Sequence, residues 1–367
     1  MANIRPKLRI GILYGGRSGE HEVSLRSARS VMMALDPARY EIVPVGITKE
    51  GRWVAVDGDV LESGSPVGGG RSATLLPEPS DATLMAIGHP AGDPANATLS
   101  VITALDVVFP VLHGPYGEDG TVQGLLELAS VPSVGAGVVG SAVGMDKAIF
   151  KQVMYAGGLP VLPWVLCTRK QWRRDPDGVI EAVERALPYP VFTKPVNLGS
   201  SVGISKARNA EELEAAVKLA AQFDRKIIVE RAIIGRELEC AVLGNERPEA
   251  SLPCEILPSK EFYDYEDKYL LDKAQCVVPA DLPPVTTAEL RRVAVEAYQA
   301  VQCEGMSRVD FLLESTTGKL YINEINTIPG FTSISMFPKM WEHSGLPMPR
   351  LVDRLLGAAP PQPTARG

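Results

Sequence analysis

The first 48 residues contain an apolar run, two glycines, a helical pattern and a second apolar run, in that order. Residues 8–14 (LRIGILY) are typical of a buried strand, and Gly15-Gly16 ends it. Apolar residues then recur at helical spacing between positions 25 and 35, and we expect Ser24 to cap that helix. EIVPVGIT (41–48) is the next predicted strand. Strand, glycine turn, helix and strand begin a parallel α/β unit, so the order predicts an α/β fold.

Composition places the chain among globular proteins. Its 367 residues suggest two or three domains, and 45% hydrophobic with 22% charged residues is close to the globular average. A net charge of −7 gives no overall attraction for nucleic acid. No apolar run approaches the ~18 residues of a membrane span, and the first residues lack the apolar core of a signal peptide. We therefore expect a cytoplasmic protein with neither nucleic acid nor membrane as partner.

Cysteines and histidines are few and scattered. An odd number of cysteines, five, without a CxxC pair predicts neither a disulfide framework nor a zinc site. We expect most of them to be small buried hydrophobic residues. The four histidines show no i, i+4 pairing, which excludes a histidine metal centre.

The remaining elements follow from local patterns. Residues 57–100, rich in Gly, Ser, Pro and Ala, are expected to form an inserted loop or hairpin. SAVGMDKAIFKQVMYAGG, from residue 141, predicts one helix closed by paired glycines. The other predicted elements are strands near 161–167, 189–194, 227–231 and 237–244, a helix from Asn209 to Ala221 capped with Glu212, and a helix capped by Thr286 and Glu289 with apolar residues from Leu290 to Val301.

The strongest chemical signal is a predicted hairpin, RVDFLLE (308–314) and KLYINEIN (319–326), around a Thr-Thr-Gly turn. Folding at this turn brings Asp310 opposite position 323 or 324. Strand alternation places Arg308, Asp310 and Leu312 on one face of the first strand, and Leu320, Ile322, Glu324 and Asn326 on one face of the second. Grouped oxygen ligands suit Mg²⁺, and neighbouring like charges destabilise a sheet unless a cation offsets them. Asp310, Glu324 and Asn326 are therefore candidate metal ligands.

Cationic and loop residues surround this hairpin in the sequence. Arg308 is a candidate for stabilising charge on a phosphoryl group or an oxyanion, and the Gly330 N–H, in NTIPGFTSIS (326–335), could aim at the same point. Lys147 and Lys194 are further candidates, since Lys194 precedes GSSVG (199–203), a Gly/Ser hairpin suited to covering phosphates. No GxxxxGK[ST] motif occurs, so a P-loop fold is excluded.

GSSVG also matches GxSxG, the nucleophile elbow of α/β-hydrolases, with Ser201 as nucleophile. That elbow requires a helix immediately after the motif, whereas ISK (204–206) has the character of a second strand. An esterase using Ser201 is kept as the alternative from a different functional class.

Seven motifs, taken in order, resemble those of the D-alanine–D-alanine ligases of the ATP-grasp superfamily. They are GGRSGEHEVS (15–24), HGPYGEDGTVQG (113–124), MDK (145–147), KPVNLGSSVGISK (194–206), EFYDYEDKY (261–269), GMSRVDF (305–311) and NEINTIPGFT (323–332). The resemblance runs from about residue 8 to residue 356 and leaves only segment 57–100 without a recognisable motif.

The resemblance implies a three-domain α/β ATP-grasp architecture. An N-terminal parallel α/β domain (1–140, with the insertion 57–100), a central subdomain (141–232) and a C-terminal subdomain (233–367) would make up the chain. The implied reaction is ATP-dependent ligation of two D-alanines through D-alanyl phosphate, for peptidoglycan precursors of the cell wall. ATP, two Mg²⁺ ions, for which Mn²⁺ can substitute, and a homodimeric assembly are implied too. Another ATP-grasp carboxylate–amine ligase is the nearer alternative.

The resemblance also assigns residues. For ATP binding it implies Lys147, Lys194, Glu230, Glu237 and Lys268; for the metal ions, Asp310, Glu324 and Asn326. Glu20 would pair with the first substrate's ammonium, and Ser200 and Tyr269 would hydrogen-bond to Glu20 and close a lid around 262–270. Arg308 and the Gly330 N–H would form the oxyanion hole. Ser335 and Met336 would receive the second substrate's carboxylate, and His113 is a further candidate near the substrates.

Overall fold

The computed structural model describes residues 6–56, 70–79, 82–89, 96–199, 202–257 and 275–359. The first elements are β1 (Leu8–Gly15), α1 (His21–Ala34), β2 (Tyr40–Ile47), β3 (Trp53–Ala55), β4 (Arg71–Leu75), β5 (Thr83–Gly88), β6 (Thr98–Ala104), β7 (Val107–Val111), α2 (Thr121–Leu128) and α3 (Val138–Met145). There follow α4 (Lys147–Ala156), β8 (Trp164–Thr168), α5 (Arg169–Arg174), α6 (Pro176–Ala186), β9 (Val191–Pro195), β10 (Ser205–Ala207), α7 (Ala210–Phe223) and β11 (Lys226–Arg231). The last are β12 (Gly235–Leu243), β13 (Glu249–Ala250), β14 (Cys254–Leu257), β15 (Gln275–Val277), α8 (Pro284–Ala300), β16 (Met306–Glu314), β17 (Leu320–Asn326), α9 (Met336–His343) and α10 (Met348–Ala358).

The first sheet has the strand order β6-β5-β4-β3-β2-β1-β7. β1 pairs in parallel with β2 and β7, which confirms the predicted parallel α/β beginning. β4 and β5 pair antiparallel, which confirms a hairpin within 57–100, but β3 to β6 also extend the first sheet, which was not predicted. Alternate side chains of β4 and β5, Ala73, Leu75, Leu84 and Ala86, are buried, which explains why this segment forms strands despite its composition. Residues 57–69, 80–81 and 90–95 of that segment lie outside the described ranges.

Helix α1 begins at His21, so Ser24 is not its cap. The buried Ser24 hydroxyl donates to the Val111 carbonyl and accepts from the Gly15 N–H at 2.7 Å. It therefore ties α1 to the ends of β1 and β7. Gly15 has a φ of +92°, and a Cβ there would lie 2.3 Å from the Ile47 carbonyl, so only glycine fits this turn.

The predicted single helix from residue 141 is two helices, α3 and α4, separated at Asp146. Asp146 adopts extended backbone, and its carboxylate accepts hydrogen bonds from Ala148 N–H and Ile149 N–H at 3.2 and 3.0 Å. It also pairs with Lys226 of β11. An N-cap of this kind begins a new helix and redirects the chain. The predicted glycine ending is confirmed, because Gly157 and Gly158 follow the last residue of α4.

The second sheet has the order β10-β9-β11-β8, and the third the order β15-β14-β12-β16-β17. Asn209 caps α7 through the Glu212 N–H, as predicted. α8 instead begins at Pro284, without a side-chain cap, so Thr286 and Glu289 lie inside its first turns. Its predicted apolar face is buried throughout. Proline at the first helical position explains the earlier start.

Two short helices, α5 and α6, were not predicted. Thr168 and Gln171 form a reciprocal capping box at the start of α5. Asp175 caps α6 through the Gly178 N–H at 3.0 Å, and Pro176 occupies the first position of that helix. Thr-x-x-Gln and Asp-Pro were the available sequence signals.

The cysteines differ from expectation in one respect. Cys254 and Cys276, on the adjacent strands β14 and β15, are joined in a disulfide, which the sequence analysis did not predict. Cys167, Cys240 and Cys303 are free and buried, as expected. No helix in the described part of the chain combines the length and apolar character needed to cross a bilayer.

Replacing Asp146 tests the helix division. Asp146→Ala removes the α4 cap and the partner of Lys226, so we expect the free energy of unfolding to fall by about 1–2 kcal/mol. Asp146→Asn keeps a capping oxygen and should lose clearly less. Urea denaturation of both variants provides the measurement, and equal losses would contradict a capping role.

Candidate active site

Two adjoining cavities lie where the three sheets meet. The first is lined from α1, the segment after β7, β16, β17 and the segment 327–336. The second lies between the second and third sheets. Lys147, Gly199, Glu239 and Glu324 line both, so the two cavities form one continuous cleft.

The cleft brings most of the predicted residues together. Those lining the first cavity are Glu20, His113, Lys147, Arg308, Glu324, Asn326, Gly330, Ser335 and Met336. Those lining the second are Lys147, Lys194, Glu230, Glu237, Asp310 and Glu324. Ser200, Ser201, Lys268, Tyr269 and the predicted lid 262–270 lie outside the described residues.

The predicted hairpin of β16 and β17 is confirmed, with Asp310 opposite Glu324 and Arg308 opposite Asn326. A bulge follows, because Phe311 pairs with Ile322 and Asn323 is the extra residue. The prediction that Leu320 and Ile322 share a face with the two polar residues was therefore wrong. Leu320 and Ile322 are buried in the hydrophobic core, whereas Glu324 and Asn326 line the cleft. A bulge shifts the alternation by one residue, which is the reason for the difference.

Ion pairs hold the carboxylates of the hairpin. The Arg308 guanidinium donates to both oxygens of Asp310 at 2.7 Å and lies 3.3 Å from Glu239. Lys147 Nζ lies 3.1 Å from Glu324 Oε2 and donates to the Leu198 carbonyl at 2.8 Å. Three carboxylates thus face two cations.

An excess of negative charge and a nearby amide oxygen fit a hard divalent cation. The Asn326 side-chain oxygen accepts from the Ile328 N–H at 3.1 Å, which orients the amide. Among the described residues no group of three His, Cys, Asp or Glu side chains could hold a metal ion. The predicted set consists of two carboxylates and one amide, and asparagine is not one of those four residue types. Asp310, Glu324 and Asn326 therefore remain candidate ligands.

A buried Lys–Glu–Lys cluster lies at the base of the second cavity. Glu230, only 2% exposed, is 3.1 Å from Lys151 Nζ and 2.7 Å from Lys194 Nζ. Burial opposes ionisation, but the two ammonium charges lower the pKa of Glu230 to about 2. The same carboxylate raises the pKa of Lys194 against the effect of burial. Burial, by contrast, lowers the pKa of Lys151.

Lys151, which is fully buried, is a site residue that was not predicted from the sequence. Lys147 and Lys151 are four residues apart on α4, so both can face the cleft. That spacing was the available signal.

Apolar residues and a short connection surround the rest of the second cavity. Segment 232–234 connects β11 to β12 beside it. The apolar lining outside this connection comprises Leu162, Phe192, Leu198, Ile204, Leu238, Ile256, Phe311 and Leu312. Such a lining next to cationic side chains suits a flat, apolar ring attached to an anionic group.

Glu118 is a second site residue that the sequence analysis missed, although it lies in the motif at 113–124. It is 8% exposed and accepts from the Gly114 N–H at 2.6 Å and the Ile328 N–H at 3.3 Å. Burial, with the negative charge of Glu20, raises the pKa of Glu118 to about 8. Burial lowers the pKa of His113, whose Nδ1 lies 2.9 Å from the Ile328 carbonyl.

The raised pKa of Glu118 predicts how stability depends on pH. The folded protein keeps a proton on Glu118 up to about pH 8, whereas an unfolded chain loses it near 4.5. The stability of the wild type relative to Glu118→Gln should therefore fall by about 1.4 kcal/mol per pH unit from pH 6 to 8, then level off. Urea denaturation at pH 6, 7, 8 and 9 measures this difference.

Glu127→Gln is the matched control for this measurement. Glu127 also accepts a backbone N–H, from Val138 at 3.0 Å, but at an exposed position. Urea denaturation of this variant at the same pH values gives the reference for the comparison. A difference for Glu118→Gln that does not depend on pH would contradict the assigned titration.

GSSVG lacks, in the described residues on both sides of it, the strand-to-helix arrangement that a nucleophile elbow requires. It connects β9 to β10, which pair antiparallel, and β10 contains the predicted strand residues Ser205 and Lys206. A helix does not follow the motif until Ala210. The esterase alternative therefore lacks its required local fold.

The chain matches known families over nearly its whole length. Residues 9–136 match the family described as D-ala D-ala ligase N-terminus, and residues 153–357 match D-ala D-ala ligase C-terminus. It is 58% identical over 350 residues to the D-alanine–D-alanine ligase of Solibacter usitatus, covering 95% of this chain and 94% of that protein. It is 45% identical over 352 residues to that of Natranaerobius thermophilus, with coverages of 95% and 94%.

Solved structures show the same fold. The D-alanine–D-alanine ligase from Coxiella burnetii superposes with a TM-score of 0.82 at 40% identity, covering 96% of this chain and 94% of that one. VanG D-Ala:D-Ser ligase from Enterococcus faecalis superposes with a TM-score of 0.84 at 35% identity, with coverages of 97% and 100%. These similarities confirm the expected ATP-grasp α/β fold. The chain belongs to the D-alanine–D-alanine ligase family.

Proposed function

We propose that this protein joins two D-alanine molecules into D-alanyl-D-alanine, converting ATP to ADP and phosphate. One observation carries the proposal: a single cleft contains the opposed carboxylates Asp310 and Glu324, the cations Arg308 and Lys147, and the buried Lys194 cluster, in a chain of this family. A peptidoglycan precursor is the product that this reaction supplies.

ATP fits the second cavity by chemistry. The apolar lining beside segment 232–234 would receive the adenine ring, and Glu237 the ribose hydroxyls. Lys194 and Lys147 would face the phosphates, with Lys268 at the γ-phosphate. Lys194, whose pKa Glu230 raises, would be protonated at neutral pH and would attract the triphosphate.

Asp310, Glu324 and Asn326 would hold two Mg²⁺ ions, for which Mn²⁺ can substitute. When bound, the ions offset the charge that accumulates between the phosphates and the substrate carboxylate. Arg308 and Lys147 compensate those carboxylates within the protein. Glu239 also pairs with Arg308, so one carboxylate charge remains beyond the two that these cations offset, and a bound cation would meet it.

The reaction requires two displacements. In the first, the carboxylate of one D-alanine forms a bond to the γ-phosphorus, the bond to ADP breaks, and an acyl phosphate results. In the second, the amine of the other D-alanine attacks the acyl carbon, loses a proton, and phosphate leaves. Arg308 and the Gly330 N–H would stabilise the oxyanion of the second step.

Residues that line the first cavity would orient the substrates. Glu20 would pair with the first ammonium, and His113 lies nearby. Ser335 precedes α9, and Met336 is the first residue of that helix. Because the N–H groups at a helix N-terminus favour a carboxylate, these two residues would receive the carboxylate of the second substrate.

The proposed link from Glu20 to Ser200 and Tyr269 has one geometric support. A Cβ on Gly199 would lie 3.5 Å from Glu20 Oε2, so the chain just before Ser200 approaches this carboxylate. A lid formed by 262–270 would exclude water, which matters because acyl phosphates hydrolyse.

We propose the domain limits 1–140, 141–232 and 233–367, consistent with one sheet in each range. A cytoplasmic location and a homodimer complete the proposal. Another ATP-grasp ligase specificity is the second candidate, since the VanG structure, a D-Ala:D-Ser ligase, superposes at a TM-score of 0.84.

Product analysis tests the proposed reaction. We expect ADP, phosphate and D-alanyl-D-alanine from D-alanine, Mg²⁺ and ATP, and no product from L-alanine. A preference for D-serine as the second substrate would favour the second candidate. AMP and pyrophosphate as products would overturn both.

Replacing Glu324 tests the carboxylate pair. Glu324→Gln should lower kcat at least ~10²-fold, because it removes one charge that binds the cations offsetting the phosphates. Glu314→Gln, at the other end of the hairpin and paired with Arg231 at 3.2 Å, is the matched control and should stay near wild type. Near wild-type turnover of Glu324→Gln at saturating Mg²⁺ would contradict the assignment.

Replacing Tyr269 tests the lid. Tyr269→Phe keeps the ring but deletes one hydrogen bond of ~1 kcal/mol, so we expect a looser lid and measurable D-lactate incorporation with ATP affinity nearly unchanged. The wild type should make dipeptide and almost no depsipeptide near neutral pH. Competition between D-alanine and D-lactate from pH 6 to 9 measures the ratio, and an unaltered ratio in the variant would remove Tyr269 from the specificity mechanism.

A further inference from the structure

The turn after β17, residues 328–331 (Ile-Pro-Gly-Phe), is held by side chains from the N-terminal region. The Phe331 N–H donates to Ser27 Oγ at 3.1 Å. The Ile328 carbonyl lies 2.9 Å from His113 Nδ1, and His113 Nε2 lies 3.4 Å from Ser27 Oγ. Ser27 and His113 thus bridge the carbonyl of the first residue of the turn and the N–H of the fourth.

The hydrogens of this bridge follow from its acceptors. A carbonyl accepts only, so His113 Nδ1 must carry the proton that faces Ile328. Nε2 of a neutral imidazole is then an acceptor, and the Ser27 hydroxyl donates to it. The lowered pKa of His113, caused by burial, agrees with a neutral ring. In this chain of hydrogen bonds each donor therefore has an acceptor: the Phe331 N–H has Ser27 Oγ, the Ser27 hydroxyl has His113 Nε2, and His113 Nδ1–H has the Ile328 carbonyl.

Water cannot replace these contacts. Ser27 is fully buried, and His113, Ile328 and Phe331 are 5%, 1% and 1% exposed. The Phe331 ring also packs against Phe109, with ring centroids 5.7 Å apart. Loss of the Ser27 hydroxyl would leave a buried N–H and a buried imidazole nitrogen without partners.

Gly330 lies inside this turn, next to the anchored Phe331. A Cβ on Gly330 would lie 2.7 Å from Ser335 Oγ and 3.9 Å from Ser27 Oγ, so the backbone is closely confined. An oxyanion donor is effective only when its N–H is already aimed at the developing charge. The anchors at residues 328 and 331 hold the backbone on both sides of Gly330.

We propose that Ser27, acting with His113, is a positioning residue that orients the Gly330 N–H toward the reacting carbonyl. This inference rests on the proposed function, in which Gly330 contributes to the oxyanion hole. Ser27 itself need not touch a substrate.

Ser27→Ala tests the inference. We expect kcat for dipeptide formation to fall about 10- to 100-fold, a loss no larger than that caused by removing an oxyanion donor itself. KM for ATP should stay within about twofold of the wild-type value. Ser30→Ala is the matched control, because Ser30 is on the same helix and its hydroxyl donates only to the Arg26 carbonyl at 3.2 Å. It should leave both constants unchanged. Ser27→Cys, of similar size and a weaker acceptor, should give an intermediate kcat and serves if the alanine variant does not fold.

Three outcomes are distinguishable. A lowered kcat in properly folded Ser27→Ala, with unchanged KM for ATP, supports the inference. Lowered thermal stability with unchanged kcat per folded molecule, for the alanine or the cysteine variant, shows a merely structural role and overturns it. Absence of dipeptide with the wild type and Ser30→Ala would overturn the proposed function, and the inference with it.

Discussion

Charge compensation at the meeting point of the three sheets is the constraint on which the cleft depends. Asp310 and Glu324 face each other directly across two paired strands, where like charges are destabilising. Arg308 and Lys147 offset them, and Lys151 with Lys194 offsets the nearly inaccessible Glu230. Removing one partner from a buried pair such as Glu230 with Lys194 typically costs about 3–5 kcal/mol, so the members of that cluster are interdependent.

The pairs come from separate elements, so compensation also fixes how the elements pack. Lys147 and Lys151 lie on α4, Glu230 on β11, and Glu324 on β17. Asp146 gives α4 its own start and simultaneously pairs with Lys226 of β11. The break between α3 and α4 therefore directs two lysines toward carboxylates of two different sheets.

Backbone groups of the cleft are held as tightly as its charges. Gly114 approaches Glu20 closely because it has no side chain, since a Cβ there would lie 3.0 Å from the carboxylate. Ser27, His113 and Glu118 bind the backbone of the turn that contains Gly330. Such a site can meet the charge of a reacting group without first reorganising, which is the main electrostatic contribution to catalysis.

Local interactions determined what the sequence predicted correctly: the parallel beginning, the α7 cap, the buried face of α8 and the pairing of Asp310 with Glu324. Each depends on neighbours a few residues apart or on one short hairpin. Tertiary structure decided the rest. Core packing set the bulge at Asn323 and turned β4 and β5 into sheet strands. Lys151 and Ser27 acquired partners only on folding, and the hydrogen bond from Phe331 to Ser27 joins residues 304 positions apart, a separation that no sequence periodicity can specify.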